Sequence, residues 1–451
     1  MSAWRLVTLL LISSARLAAQ TLSVPVTVDT LPNGLVLIVH EDHSTPIVAV
    51  NLWHHVGSGD EKAGRTGLAH LFEHLMFMGS QHAEYPAFDR LLEAAGGDNN
   101  ASTSEDQTNY YESGPANALP LMLWLEADRM GWFLPTMTAE KVNAQRDVVK
   151  NERRQSYENQ PYGLSEETIL AMLYPAGHPY SWPVVGSMTD LSAASLEDVK
   201  TFFSTYYAPN NASIVVAGDV NTADVLKLVR QDFAEVPRGP AITRPTAPAV
   251  VLTHDTMAVL EDHVELARVY YTWPTVRENE ADDIPLRLLA YILAGDKNSR
   301  LTQALVYHSQ LASEVYSYED GKRVAGEFHL VATAKPDGPL APLQPIIQRE
   351  VARLAAEGPT ARELTQAQNA IEARLLRRLE RVDAKADALN RYYSRTGHPD
   401  GFAAELARYR AVTAADIKRV AARYITGPRV VLSIVPTGKT ALAAPARGAT
   451  P

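Results

Sequence analysis

An internal repeat constrains the fold of this chain more than any other feature of its sequence. Near the end of each half, an Asp-x-Lys pair leads through a helical stretch to a tyrosine and then to a short apolar run. The Asp, Lys and Tyr of the second copy each follow the first copy by 218 residues. A repeat at this position in both halves indicates a duplicated domain. The two copies are Asp198, Lys200 and Tyr206 with the run 213–217, and Asp416, Lys418 and Tyr424 with the run 430–434.

A proline-rich stretch separates the two copies. Four prolines fall within the thirteen residues from Val236 to Pro248, which disfavours both a helix and a central strand. We therefore predict an N-terminal domain over 21–236, a linker over 237–254 and a homologous C-terminal domain over 255–436, each half having a common domain size. The tail, residues 437–451, is rich in Ala, Pro, Gly and Thr and is predicted to be disordered.

Both halves mix strand-like and helix-like patterns. Residues 35–39 form a β-branched run, and the Pro-Asn-Gly before it is typical of a turn that enters a strand. Helical periodicity is clearest over 139–157, 284–294 and 361–389. These patterns predict an α+β protein of two homologous domains, each with a mainly antiparallel sheet and helices packed on one face.

The first twenty residues are typical of a secretory signal peptide. Arg5 supplies the positive charge, residues 6–12 supply a short apolar run, and small residues precede a cut before Gln20 or Thr21. The run is too short for a stable transmembrane anchor, although an uncleaved anchor is the alternative. We therefore predict a signal peptide over 1–20 and a secreted or periplasmic protein with no stable membrane anchor.

Composition excludes several kinds of function. The chain has no cysteine, which excludes thiol nucleophiles, disulfides and Cys-ligated metal sites. Its net charge is −10, and no Lys/Arg run is long enough to form a nucleic-acid-binding face. Any metal must therefore be bound by histidines and carboxylates.

One short stretch carries a metal-binding pattern. Residues from Thr66 to Gly79 predict a single helix, with Thr66 as its N-cap and Gly79 as its stop. His70 and His74 are four residues apart, so both rings leave the same face and can reach one Zn²⁺. Glu73 lies at the edge of that face, where a carboxylate can take a proton from water. Ordinary surface histidines are the alternative, but the apolar neighbours predict a largely buried helix, where unpartnered polar groups are costly.

A catalytic zinc needs a third protein ligand and an open position. Glu152 is the candidate, in a helix predicted to begin near Thr138. Spacing alone leaves open whether Glu152 is a ligand or a solvated carboxylate on the helix surface.

The chain resembles a known family at these residues. The sequence HLFEHLMFMG at 70–79, followed 78 residues after His74 by the Glu of VVKNERR, is similar to the inverted-motif zinc peptidases of the insulinase/pitrilysin family. The similarity is greatest to the half-length group that contains the mitochondrial processing peptidase. It implies peptide-bond hydrolysis by a zinc metalloendopeptidase with one Zn²⁺ per chain. It assigns His70, His74 and Glu152 as zinc ligands and Glu73 as the general base.

The resemblance extends to the substrate. The segment from Asn100 to Tyr111 is similar to the family's strand beside the zinc, which implies that a peptide substrate pairs with Asn100, Ala101 and Ser102. A simple turn at Asn99 and Asn100 is the alternative. Many relatives also carry a Glu that supports the metal ligands without binding the metal itself, two helical turns before the ligand Glu, where this chain has Gln145. That residue either retunes the metal site or is a neutral variation.

A second departure concerns the partner. Ser299-Arg300-Leu301 matches the family's pattern, but Val306 and Ser313 occupy the positions of an Arg and a Tyr that bind substrate in active partners. We therefore predict a heterodimer with a homologous zinc-less subunit that supplies the Arg and Tyr. The alternative is a homodimer in which other side chains substitute, namely Arg300, Tyr307 or Tyr316.

Two other classes of function compete with the peptidase. A catalytically silent scaffold subunit is the first, but silent relatives typically lose one of the two histidines or the base, whereas this chain keeps all four positions. Zinc storage or transport is the second, and it favours exposed His-rich tracts, which the sequence lacks.

Overall fold

A computed structural model describes residues 23–446. The predicted signal peptide and the end of the predicted tail, residues 447–451, lie outside the described residues. None of the helices within 23–446 is long and apolar enough to cross a membrane.

The first half is built on a six-stranded sheet. Its strands are β1 (Thr27–Thr30), β2 (Val36–Glu41), β3 (Ile47–His54), β4 (Asp98–Thr103), β5 (Thr108–Pro115) and β6 (Ala212–Gly218). They lie in the order β1-β2-β6-β3-β5-β4. Only β2 and β6 run parallel, and the other neighbours are antiparallel. The helices of this half are α1 (Leu68–Leu75), α2 (Ala87–Ala94), α3 (Leu119–Trp132), α4 (Ala139–Arg153), α5 (Ser165–Leu173), α6 (Met188–Ala193), α7 (Leu196–Tyr206) and α8 (Thr222–Phe233).

The second half repeats the arrangement with five strands. They are β7 (Thr256–Asp262), β8 (Arg268–Thr275), β9 (Ala312–Gly321), β10 (Gly326–Ala334) and β11 (Val430–Pro436). Their order is β7-β11-β8-β10-β9, in which only β7 and β11 run parallel and the other neighbours are antiparallel. The helices are α9 (Asp283–Ala294), α10 (Leu343–Glu357), α11 (Ala361–Arg378), α12 (Val382–Thr396), α13 (Phe402–Ala411) and α14 (Ala414–Val420).

The two sheets correspond strand by strand, with β1 as an addition to the first. Strands β2, β6, β3, β5 and β4 match β7, β11, β8, β10 and β9 in order and direction. Helix α1 follows β3 and α9 follows the matching strand β8, so these two helices also correspond. In the same order along the chain, α4 corresponds to α11. The structure therefore confirms the predicted α+β class with two mainly antiparallel sheets.

The repeated aspartates cap equivalent helices. Asp198 is the third residue of α7, and its carboxylate accepts the backbone N–H of the N-cap Ser195 at 2.9 Å. Asp416 makes the same reciprocal contact with the N-cap Thr413 at the start of α14, at 3.0 Å. Such capping boxes satisfy N–H groups that a helix leaves free. The aspartates of the sequence repeat therefore define helix starts.

The prediction that helices cover one face of each sheet is wrong. Helix α12 of the second half packs against β3 and β6 of the first sheet, and α5 of the first half packs against β8 and β11 of the second. The interior strands β6, β10 and β11 are buried along their whole length. Strands buried on both faces have continuous apolar runs, and each half supplies the helix that covers the outer face of the other.

The linker and the tail differ in how regular their structure is. Residues 237–254 contain no helix or strand. The tail is predicted to be disordered, but its described part, residues 437–446, contains a 3₁₀ helix at Thr440–Leu442, although residues 437–441 are exposed. Ala444 is buried, and its N–H donates to the Ser433 hydroxyl at 3.1 Å. Small apolar residues can fill a core gap as well as form a flexible tail, so composition misjudged this segment.

Candidate metal centre

Helix α1 begins differently from the prediction. Its N-cap is Gly67 at φ +86°, a left-handed conformation that favours glycine, and Thr66 is not the cap. The Thr66 hydroxyl instead donates to Asp190 at 2.6 Å. The Glu61 carboxylate accepts the N–H groups of Gly67 at 2.9 Å and Ala69 at 2.7 Å. A buried carboxylate from an earlier turn therefore performs the capping that was assigned to Thr66. The helix ends at Leu75, before the predicted stop at Gly79.

Three predicted ligands converge between α1 and α4. The rings of His70 and His74 lie on one face of α1 with their centroids 4.9 Å apart. Glu152, near the end of α4, places Oε1 3.7 Å from His70 Nε2 and Oε2 3.1 Å from His74 Nε2. One ligand atom from each residue lies within 4.8 Å of the others, and residues 23–446 contain no other group of three His, Asp or Glu with this geometry. The predicted start of α4 near Thr138 is confirmed, because Thr138 is the N-cap of α4 and its hydroxyl accepts the Lys141 N–H at 3.2 Å.

The protonation of these groups suits a cation. Burial lowers the pKa of His70 to about 4, which keeps the imidazole neutral and able to ligate. The hydrogen bond from His74 lowers the pKa of Glu152, which keeps that carboxylate ionised. Two histidines and one carboxylate are the protein ligands of several catalytic zinc sites. The residues present therefore fit a Zn²⁺ ion.

Glu73 lies beside this group and contacts the edge of the sheet. Its Oε2 accepts the hydroxyl proton of Thr103 at 2.5 Å. Burial raises the pKa of Glu73, which makes its carboxylate a stronger base than an exposed one. Thr103 is the last residue of β4, and no pattern in the sequence indicates its contact with Glu73.

A cavity of about 590 Å³ opens from Glu73 and His74 along β4. Asn100 lines it, and Gln145 lines its opposite side from α4. The Gln145 amide lies 2.8 Å from Met78 Sδ, so its polar contact in this structure is with that thioether. Carboxylates that sequence reasoning missed also line the cavity, namely Asp89, Glu93 and Asp98.

The three residues predicted to bind substrate lie in an edge strand. Asn100, Ala101 and Ser102 pair with Tyr111, Tyr110 and Asn109 of β5. Since β4 is the last strand in the sheet order of the described residues, its second edge faces away from β5. The alternative of a turn at Asn99 and Asn100 is wrong, because both residues belong to the strand.

Val306 and Ser313, which occupy the positions of the substrate-binding Arg and Tyr, lie in the second half. Val306 lies in a π-helical segment, Thr302–His308, and packs against the core. The Ser313 hydroxyl donates to the carbonyls of Thr333 and Ala334, each at 3.2 Å. Among the proposed substitutes, Arg300 is committed elsewhere, because its guanidinium donates to both carboxylate oxygens of Glu363 at 2.6 and 2.9 Å. Tyr307 is exposed and Tyr316 is half-buried.

The chain is similar to known proteins over most of its length. Residues 36–178 match the family described as Insulinase (Peptidase family M16), and residues 193–371 match the Peptidase M16 inactive domain. The zinc protease PqqE of Helicobacter pylori is 32% identical over 312 residues, which are 68% of this chain and 70% of that protein. A probable mitochondrial-processing peptidase subunit beta of Arabidopsis thaliana is 27% identical over 432 residues, covering 92% of this chain and 79% of that one.

A solved structure shares the whole fold. The crystal structure of a protease from Helicobacter pylori has a TM-score of 0.86 at 27% identity, covering 92% of this chain and 100% of that one. The fold and these relatives define a duplicated α+β protein of the metallopeptidase class. The chain belongs to peptidase family M16, the insulinase family.

Proposed function

We propose that this chain is a zinc-dependent endopeptidase that hydrolyses peptides or unfolded protein segments. The observation that carries the proposal is the convergence of His70, His74 and Glu152 beside the carboxylate of Glu73. This cluster lies against an edge strand, where an extended substrate can be held next to the base. Relatives named as zinc proteases support the same chemistry.

The residues divide the reaction among them. Bound Zn²⁺ would polarise the scissile carbonyl and lower the pKa of its water. The Glu73 carboxylate takes a proton from the attacking water and passes it to the nitrogen of the leaving amine. The Thr103 hydroxyl donates to Glu73 Oε2 and so orients that carboxylate toward the reacting atoms. The burial that raises the pKa of Glu73 favours its taking the proton.

The substrate adds a strand to the first sheet. The backbone of an extended peptide pairs with Asn100, Ala101 and Ser102 on the free edge of β4, which selects conformation more than sequence. A folded protein does not present such an unpaired segment, so unfolded chains and peptides are the expected substrates. Asn100 lines the cavity that contains Glu73, which connects the strand pairing to the base.

The test is an assay of the purified chain on unstructured peptides before and after removal of metal. We expect hydrolysis that a chelator abolishes and that one equivalent of Zn²⁺ restores. A chain that binds zinc but hydrolyses nothing, with or without a partner, would support the catalytically silent scaffold instead.

We further propose that the working enzyme is a heterodimer with a homologous zinc-less subunit. The Val306 side chain packs against the core, and the Ser313 hydroxyl donates to backbone carbonyls. Neither side chain therefore replaces a substrate-binding Arg or Tyr. A missing donor of this kind lowers transition-state stabilisation by about 2–4 kcal/mol. A relative named as a beta subunit supports a partnered enzyme.

The partner is tested by adding it. We expect the isolated chain to bind zinc and to gain about 10²-fold or more in turnover when a homologous chain with the Arg and Tyr is supplied. Full activity of the isolated chain, with no gain on mixing, would contradict the heterodimer. In that case Tyr307→Phe tests the homodimer alternative, because the Tyr307 ring is exposed while Arg300 is bound to Glu363.

Two smaller proposals remain from the sequence. Gln145→Glu is expected to change zinc affinity or the pH–rate curve without changing the fold, and identical curves would show that the position is neutral. A secreted or periplasmic location predicts that the native protein begins at Gln20 or Thr21, which N-terminal sequencing measures. A mature protein that retains residues 1–19 would favour the uncleaved anchor.

A further inference from the structure

A cavity in the second half lies at the position that corresponds to the candidate metal centre. It measures about 740 Å³ and lies beside α9, β9 and α11, the counterparts of α1, β4 and α4. Helices α12 and α13 close the remaining sides. None of the four predicted catalytic or ligand residues lines this cavity, so it is separate from the metal centre.

The side chains around this cavity are rich in arginine. Six arginines line it, against five carboxylates. Burial raises the pKa of the Glu319 carboxyl well above its ordinary value, which favours its neutral form. The six are Arg287, Arg374, Arg378, Arg391, Arg395 and Arg408.

The carboxylates are already used by other partners. Asp283 accepts from Arg287 at 2.7 Å, and Glu278 forms an ion pair with Arg395. Asp400 accepts from the Ser23 hydroxyl at 3.0 Å, Glu405 accepts from the Tyr392 hydroxyl, and Glu319 accepts from the Thr275 hydroxyl at 2.7 Å. Arg391 pairs with Asp387 outside the cavity lining, at 2.9 Å.

Two of the six arginines that line the cavity, both on α11, have no hydrogen-bond or ion-pair partner among the described residues. Within residues 23–446, the side chains of Arg374 and Arg378 make no hydrogen bond or ion pair, whereas the other four arginines do. They are four residues apart on one helix, so both guanidinium groups project from the same face. Burial and the neighbouring Arg391 lower the pKa of Arg378. Arg378 is partly buried, whereas Arg374 is exposed. A partly buried guanidinium without an acceptor is unfavourable, and each of the two arginines can donate a planar pair of hydrogen bonds to an oxyanion.

We propose that this cavity binds a small organic anion, carrying phosphate or carboxylate groups, through the guanidinium groups of Arg374 and Arg378. The cavity is larger than an inorganic ion requires, and the rings of Tyr291, Tyr316 and Tyr392 line it, which suits an organic group attached to the anion. The second half thus keeps the position of the active-site cavity but reverses the charge of the ligand it accepts.

The test is calorimetric titration of the purified full-length chain at constant ionic strength. The probes are inorganic phosphate, phenyl phosphate and phenylsuccinate, which separate phosphate from carboxylate recognition. We expect saturable binding of at least one organic probe, tighter than inorganic phosphate. The double variant R374Q/R378Q should weaken that binding about tenfold or more, because both bidentate donors are lost.

The matched control is Arg377→Gln. Arg377 is exposed on the same helix and does not line the cavity, so its loss should leave binding unchanged. Zinc content and thermal unfolding of each variant confirm that it is folded. The proposal is overturned if no probe binds saturably, if R374Q/R378Q binds as the unaltered chain does, or if Arg377→Gln weakens binding equally. Binding that persists in R374Q/R378Q would place the anion at the metal centre or elsewhere.

Discussion

The cavities beside α1 and α9 occupy corresponding places in a duplicated fold, yet their charged side chains differ. The first cavity is lined by carboxylates, and the second is lined by six arginines. In the first half, α1 and α4 bring two histidines and a carboxylate within 4.8 Å of one another. In the second half, α9 is almost wholly buried and apolar, and α11 supplies two unpartnered arginines. The shared sheet topology shows that neither chemistry is required for the fold. One copy can therefore hold a cation while the other is free to change.

The halves also differ in the contacts of the exchanged helices, α5 and α12, each of which belongs to one half and covers the sheet of the other. Helix α5 covers the second sheet with large apolar side chains, including Ile169, Leu170 and Leu173. Helix α12 covers the first sheet with apolar side chains, including Ala386 and Leu389, and with a buried Asn390, whose amide donates to the Asn51 carbonyl and side chain at 2.8 Å. The second contact therefore adds directed hydrogen bonds to apolar area, so a polar substitution can weaken it.

The largest expected effect is at Glu73. Glu73→Gln removes the base and leaves the three ligands, so turnover should fall about 10²- to 10⁴-fold while zinc is retained. Glu372→Gln, on α11 in the second half, is the control and should change turnover less than about twofold, since exposed ion pairs contribute little. Steady-state kinetics on an unstructured peptide measures both, and wild-type turnover by Glu73→Gln would refute the assigned mechanism.

Substitutions in the exchanged helices should affect stability next most strongly. Leu170→Ala leaves a cavity under the second sheet and should cost about 2–5 kcal/mol. Asn390→Ala leaves buried polar partners such as Ser213 unsatisfied and should cost about 1–3 kcal/mol. Denaturant unfolding measures both, with the exposed Leu376→Ala as the control at about 0.5 kcal/mol or less.

The same experiment tests whether the helices couple the two halves. Because each helix belongs to one half and covers the other, we expect one cooperative transition in every variant. Two separate transitions, with only one shifted by each substitution, would show that the halves unfold independently and that the exchanged helices do not join them.

A smaller effect is expected at the ion pair that fixes Arg300 to the start of α11. Burial raises the pKa of Glu363, but hydrogen bonds from Arg300 and from the Thr360 N–H more than offset it and bring the pKa to about 2. The stabilisation is therefore present above the ordinary value of 4.5 and is lost as the pH falls toward 2. Since the pair is partly exposed, Glu363→Gln should cost about 1 kcal/mol at pH 7.

The pH dependence of that difference is the check. The gap between the unfolding free energies of the wild type and Glu363→Gln should shrink as the pH is lowered from 5 to 3. A gap that is constant over this range would mean that the Glu363 carboxylate does not stabilise the fold through its charge.

Local chemistry was predictable from the sequence, and long-range contacts were less so. The spacing of His70 and His74 places both on one helical face by local geometry alone. Glu152 is 78 residues beyond His74, so spacing could not choose it among other acids, and the family resemblance was needed. The contact of Thr103 with Glu73 depends on the packing of β4 against α1, which no local pattern specifies.

The exchanged helices show a second limit. Periodicity correctly predicts helices within 361–389, but an amphipathic sequence identifies an apolar face without identifying the sheet it covers. Thr66 shows a third limit of prediction from sequence. It is a good N-cap residue, but the Glu61 carboxylate, from an earlier turn, accepts the N–H groups at the start of the helix instead. In each case a tertiary contact decided between locally acceptable arrangements.

The metal content of three proteins tests the central comparison most directly. Wild type, Glu73→Gln and Glu152→Ala are purified identically and their zinc is measured per chain. We predict one zinc in wild type and in Glu73→Gln, bound in the first half alone, and none in Glu152→Ala, because the ligand set is then incomplete. Stoichiometric zinc in Glu152→Ala, or two zinc ions per wild-type chain, would contradict the assignment of a single metal centre to His70, His74 and Glu152.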